Sequence, residues 1–132
     1  MSDRRPARPG GMRPPTAIEL PDGGTLALVP LAEHVAELHL RRHPEDVERY
    51  GFELAREWCV HDHQHILAWA AADLDLEGQV GWLAGVLDAR GYPVANLADS
   101  LITAAEVVTD DVGGSTGAEI AARLRAAAAT IA

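Results

Sequence analysis

Lysine is missing from this chain of 132 residues: all eleven basic residues are arginine. With alanine so abundant, that reads as the coding bias of a GC-rich genome rather than as a functional signature. Cysteine is nearly missing too. Cys59 stands alone, which excludes an intramolecular disulfide and points to a reducing, cytoplasmic compartment. No apolar run approaches the roughly 20 residues that span a bilayer, and the basic N-terminus lacks the apolar stretch of a secretory signal. The glycine pairs at 10–11, 23–24 and 113–114 carry no phosphate-binding pattern. There is no HExxH, and no Glu-x-x-His of the kind that builds carboxylate-bridged di-iron sites.

Positive charge is scarce outside the N-terminus. The first fifteen residues hold Arg4, Arg5, Arg8 and Arg13 against Asp3, so a net charge of −9 leaves about −12 on the rest. A body that acidic repels phosphate backbones and anionic lipid, and nucleic acid is not the expected partner.

What is present fits one domain. Residues 1–15, rich in Arg, Pro and Gly, cannot bury a core and are predicted to be a disordered basic tail. Residues 16–132 form the domain. Ile18 and Leu20, then Leu26 and Leu28, alternate around Pro21-Asp22-Gly23-Gly24 and predict a β-hairpin over 16–29. Core helices are expected over 30–109. Pro30 opens one that ends near Arg42. Pro44-Glu45-Asp46 opens a long one to Ala72. A third runs from a cap at Asp73 or Asp75 to Gly91, and a fourth from Pro93 through Val108. Ser115 or Thr116 caps a C-terminal helix over 115–132. The fold class is therefore all-α: an antiparallel bundle of four to five helices with a short N-terminal β-hairpin.

The stretch from Trp58 to Trp69, WCVHDHQHILAW, places three histidines and an aspartate between two tryptophans. On a helical wheel Trp58, His61, His65 and Trp69 share the stripe that should be core, and His63 points to water. Glu57 lies four residues before His61 and Asp62 three before His65, each within reach. Two histidines in an apolar stripe are either core groups satisfied by those acids or a site. As a ligand pocket, the candidates are Trp58, His61, Asp62, His65, Trp69 and Trp82. As a transition-metal site for Zn or Fe, His61 and His65 supply two ligands, with Asp88 or His34 as further candidates, or a second His61/His65 pair across a homodimer. As an enzyme, His61 or His65 is a general base activated by Glu57 or Asp62. His39 and His43 are expected to be exposed. Cys59 has His63 four residues on, the spacing of a nucleophilic pair.

From Asp62 to Val108 the chain runs D-x-x-H-x-L-x-W-A, then W-L-x-x-V-L-x-x-R-G-Y-P, then L-A-x-S-L-x-x-A-A-E-V-V. This resembles the helical segments beside cobalamin-binding and other sensor domains of actinobacterial regulatory proteins. The matched positions include Asp62, His65, Trp82, Arg90, Gly91, Pro93 and Leu101. The resemblance implies a helical sensory or regulatory module. The Asp-x-His-x-x-Gly and α/β fold of the cobalamin-binding domain itself are not matched, so cobalamin is not implied. The leading expectation is a helical binding or regulatory module for a protein partner or small ligand. A metal-dependent redox or oxygen-handling protein is second, and a cofactor-free enzyme third.

Overall fold

The computed structural model describes residues 13–132, and the expected disorder of residues 1–12 lies outside the described residues. Strands β1 (Ala17–Glu19) and β2 (Thr25–Ala27) pair antiparallel with Ile18 opposite Leu26. In the turn between them the Gly24 N–H donates to Asp22 Oδ1 at 2.8 Å. Two strands alone are marginal in water. This pair is supported by packing against the first and third helices, where Leu26 is buried.

Six helices follow: α1 (Leu28–Arg42), α2 (Pro44–Tyr50), α3 (Phe52–Ala72), α4 (Leu76–Ala89), α5 (Val94–Asp111) and α6 (Gly114–Ile131). The all-α bundle with an N-terminal hairpin is thus observed, with one helix more than the four to five expected. The extra one arises at Gly51. Its φ of +83° lies in a region that only glycine enters cheaply, and it breaks the single helix expected over 44–72 into α2 and α3. α5 runs three residues past Val108 to Asp111, and α6 begins at Gly114, just before the expected cap at Ser115 or Thr116. α4 is capped as expected at Asp75, whose side chain accepts from the Gly78 N–H at 3.3 Å.

α1 packs on α3 and α5, α5 on α6, and α4 chiefly on α6. α3 runs through the middle of this arrangement. In its second half Gln64, His65, Ile66, Leu67, Ala68, Ala70 and Ala71 are all buried, so the helix is covered on every side rather than along one stripe. That corrects the wheel. His63, expected in water, is only 2% exposed. His39 is likewise 2% exposed, against the expectation of an exposed pair with His43, because the turn at His43-Pro44 folds α2 back over it.

The close-packed part of the core lies between α5 and α6. Leu101, Val107, Val108, Ile120 and Leu124 are essentially fully buried there. Gly117 makes the approach possible: a Cβ at that position would sit 2.8 Å from the Val108 carbonyl oxygen.

Candidate functional site

At the other end of α5 the helices do not close. A cavity of about 370 Å3 opens where the C-terminal end of α1, all of α2, the first half of α3, the last turn of α4 and the first turns of α5 meet. That is within the lower range of pockets that hold small organic molecules. Its walls are of two kinds. Leu40, Leu87 and Leu97 with the rings of Tyr50, Trp58 and Tyr92 make it apolar and aromatic. The Tyr50 and Trp58 rings meet edge to face, 4.7 Å between centroids.

Two polar groupings sit in those walls. The first surrounds Asp46, buried on α2. Tyr92 Oη donates to Asp46 Oδ2 at 2.6 Å and Asn96 Nδ2 to Oδ1 at 3.3 Å. His39 Nε2 lies 3.4 Å from Oδ2. Burial pushes this carboxyl up, but the contacts from His39, Tyr92 and Asn96 outweigh it, and it is held below the ordinary aspartate value. Burial and the hydrogen bond to Asp46 push the Tyr92 phenol far up, so it remains the donor.

The second grouping is on α3 and α5. The His63 Nδ1–H donates to the Cys59 carbonyl at 2.7 Å, and Nε2 lies 3.0 Å from Ser100 Oγ. A carbonyl only accepts, so the proton of a neutral ring is on Nδ1 and Nε2 is the acceptor. Burial lowers the His63 pKa to about 4, so the ring is neutral at physiological pH. The Ser100 hydroxyl has one proton and two acceptors in range, His63 Nε2 and the Leu97 carbonyl at 2.7 Å. Cys59 Sγ is 3.6 Å from His63 Nδ1, but burial pushes the thiol far up, and the nitrogen is already committed to the Cys59 carbonyl. The Cys59–His63 spacing is therefore met in space without producing a thiolate.

Asp62 stands apart from both groupings. It lines the cavity and has no hydrogen bond or ion pair with any described residue. Burial raises its pKa to about 7, only partly offset by Arg90. Among the described residues, the His39 Nδ1 and the Trp58 Nε1 in these walls are likewise without a hydrogen-bond partner. At the mouth Arg49 Nη1 donates to the Gly91 carbonyl at 2.8 Å, and its guanidinium lies 5.2 Å from the centre of the Tyr50 ring.

Of the residues singled out from the sequence, Trp58 and Asp62 line the cavity, as do Cys59 and His63. His61, His65, Trp69, Trp82 and Glu57 do not. His65 is buried with its ring 5.9 Å from that of Trp69, His61 and Glu57 are half-buried, and Trp82 is 46% exposed on α4. Asp88 is exposed on α4, and His34 Nδ1 is engaged by Asp111 Oδ2 at 2.7 Å. Among the described residues no three or more His, Cys, Asp or Glu are grouped to hold a metal ion.

The sequence reading passed over Tyr92, Asn96 and Ser100, took Asp46 only as a helix opener and expected His39 to be exposed. On α5 the polar residues Asn96, Ser100 and Thr103 are all buried. The signal was available. Those three recur at helical spacing, each one residue before the apolar Leu97, Leu101 and Ala104. No protein-family model, curated protein or solved structure matches this chain.

Proposed function

We propose that this protein is a binding module whose cavity between α1, α2, α3, α4 and α5 takes a small organic molecule. The observation that carries the reading is the cavity's combination of size and wall. About 370 Å3 is bounded by aromatic and leucine side chains, with a few fixed polar groups among them. A close-packed interior leaves few voids larger than a water molecule, and a void of this size costs dispersion contacts unless something fills it. Unpartnered atoms in the walls add to that cost, and a ligand relieves both.

A regulatory or accessory role follows from the placement. The cavity wall includes α2, a seven-residue helix hinged between His43-Pro44 and Gly51. Filling the cavity would fix α2 against the bundle, which is the kind of ordering a partner protein reads. The resemblance of residues 62–108 to helical segments beside sensor domains points the same way. His63 and Ser100 have the spacing of a base and a hydroxyl nucleophile, but both are 2% exposed and their hydrogen bonds close within the walls. We read them as a tie between α3 and α5.

The test is a set of ring-sized fragments screened by thermal unfolding, run in parallel on an Ala55→Leu variant. Ala55 is buried on α3 and faces the cavity. Fragments that raise the unfolding temperature of the parent and not of the folded variant place the site in this cavity. Fragments that stabilise both equally place it elsewhere.

A further inference from the structure

Resting on that reading, we infer that the molecule this cavity takes carries a protonated amine on a ring-sized apolar body, with the ammonium group seated on Asp62 beside the Trp58 ring. The two carboxylates in the walls differ in the way this requires. Asp46 is already engaged by Tyr92, Asn96 and His39. Asp62, one helix away, has no hydrogen bond or ion pair with any described residue. A half-buried carboxylate with no hydrogen-bond partner among the described residues is a cost that a cation inside the same cavity removes. An ammonium group donates up to three hydrogen bonds, and Asp62 accepts them. The Trp58 ring, one helical turn before Asp62 on α3 and in the same wall, attracts the same charge, the arrangement by which proteins hold organic cations.

The cavity offers no comparable seat for an anion. Arg49 is engaged by the Gly91 carbonyl and the Tyr50 ring, and Arg90 lies exposed at the end of α4. Both arginines also line the cavity, but a ligand carboxylate there would meet the charges of Asp46 and Asp62 as well. Arg90 does tell a plain amine from a zwitterion, because a carboxylate beside the ammonium group would reach outward to it.

Four probes that share one phenylethyl body separate these cases: 2-phenylethylamine, 2-phenylethanol, 3-phenylpropionate and phenylalanine. They are titrated at pH 8, where Asp62 is ionised, and followed by the amide and indole resonances of the full chain. The amine is expected to bind roughly tenfold or more tighter than the alcohol, the value of a hydrogen bond to a charged group, and the carboxylate weakest. Asp62→Asn, an isosteric change that keeps the fold, is expected to erase the difference between amine and alcohol. Arg90→Ala is expected to leave amine binding equal or tighter. Amine and alcohol binding equally, or the carboxylate binding best, overturns the amine assignment and leaves the small-molecule site standing. Phenylalanine binding best and losing that lead in Arg90→Ala overturns it in favour of a zwitterion. If no probe shifts a cavity resonance at roughly 10 mM, where fragments of this size should register, the small-molecule reading fails and this assignment with it.

Discussion

The two halves of α5 face different environments. Its C-terminal half lies against α6, where Val107 and Val108 are buried with Ile120 and Leu124 and the helices approach so closely that Gly117 has no room for a side chain. Its N-terminal half places Asn96, Leu97 and Ser100 beside an open cavity with buried ionisable groups in its walls. One half is packed for stability. In the other, a void, a partnerless carboxyl and a neutral histidine are kept at a cost to stability. Proteins keep such costs where function needs them.

Mutations of similar size should separate the two halves. At the packed end Gly117→Ala forces its Cβ against the Val108 carbonyl, and Leu124→Ala leaves a hole. Each is expected to destabilise by about 3 kcal/mol and to lower the midpoint of thermal unfolding by roughly 10 °C. At the open end Ala55→Leu adds more atoms than Gly117→Ala, yet should cost less than about 1 kcal/mol because the cavity receives them. A large loss from Ala55→Leu would show that the two ends are packed alike. Asp46→Ala comes next, at about 2 kcal/mol, since it strands Tyr92, Asn96 and His39 together. Urea unfolding with an unchanged m-value measures these four.

The third effect is one of sign. Folding raises the Asp62 pKa from 3.8 to about 7, so its burden is absent below pH 4, grows as pH rises and is complete above 7. Folding lowers the His63 pKa from 6.5 to about 4, so its burden is absent above pH 6.5 and grows as pH falls toward 4. Between pH 4 and 6.5 the two slopes oppose each other, each up to about 1.4 kcal/mol per unit, and the parent should show little pH dependence from this pair. Asp62→Asn should stabilise the fold by about 2 kcal/mol at pH 8, with the gain vanishing near pH 4. His63→Gln should leave a stability that falls as pH rises through this window. Thermal midpoints from pH 4 to 8 decide it, and parallel profiles for all three proteins would contradict the account. The smallest effect is expected at Arg41→Ala. It removes an exposed pair with Glu37 and should change stability by less than about 0.5 kcal/mol in the same urea experiment.

The packed half was legible in the sequence and the open half only in part. Leu76, Val80, Leu83 and Leu87 on α4, and Leu97, Leu101, Ala104 and Val108 on α5, announce one buried face at the helical period, and the structure buries all eight. The wheel failed on α3 because a helix covered on every side has no single stripe. The run from Ile66 to Ala71, apolar at every position, was the sign of it. The break at Gly51 was missed because a lone glycine inside a helical pattern is tolerated more often than it ends one. Trp58 and Asp62 were found through the histidine-rich stretch they belong to. His39 and Asp46 were not, since they belong to different helices and meet only because His43-Pro44 turns the chain between them.

The most direct test of the central claim is the position of three indole N–H resonances during a titration with a fragment that raises the unfolding temperature. Trp58 lines the cavity with its Nε1 unpartnered, Trp69 packs beside His65 outside it, and Trp82 lies exposed on α4. The account predicts that the Trp58 indole signal moves in a saturable way while that of Trp82 stays in place, and that Ala55→Leu abolishes the movement. A saturable shift confined to Trp82, with Trp58 unmoved, would contradict it and put the binding surface on the outer face of α4.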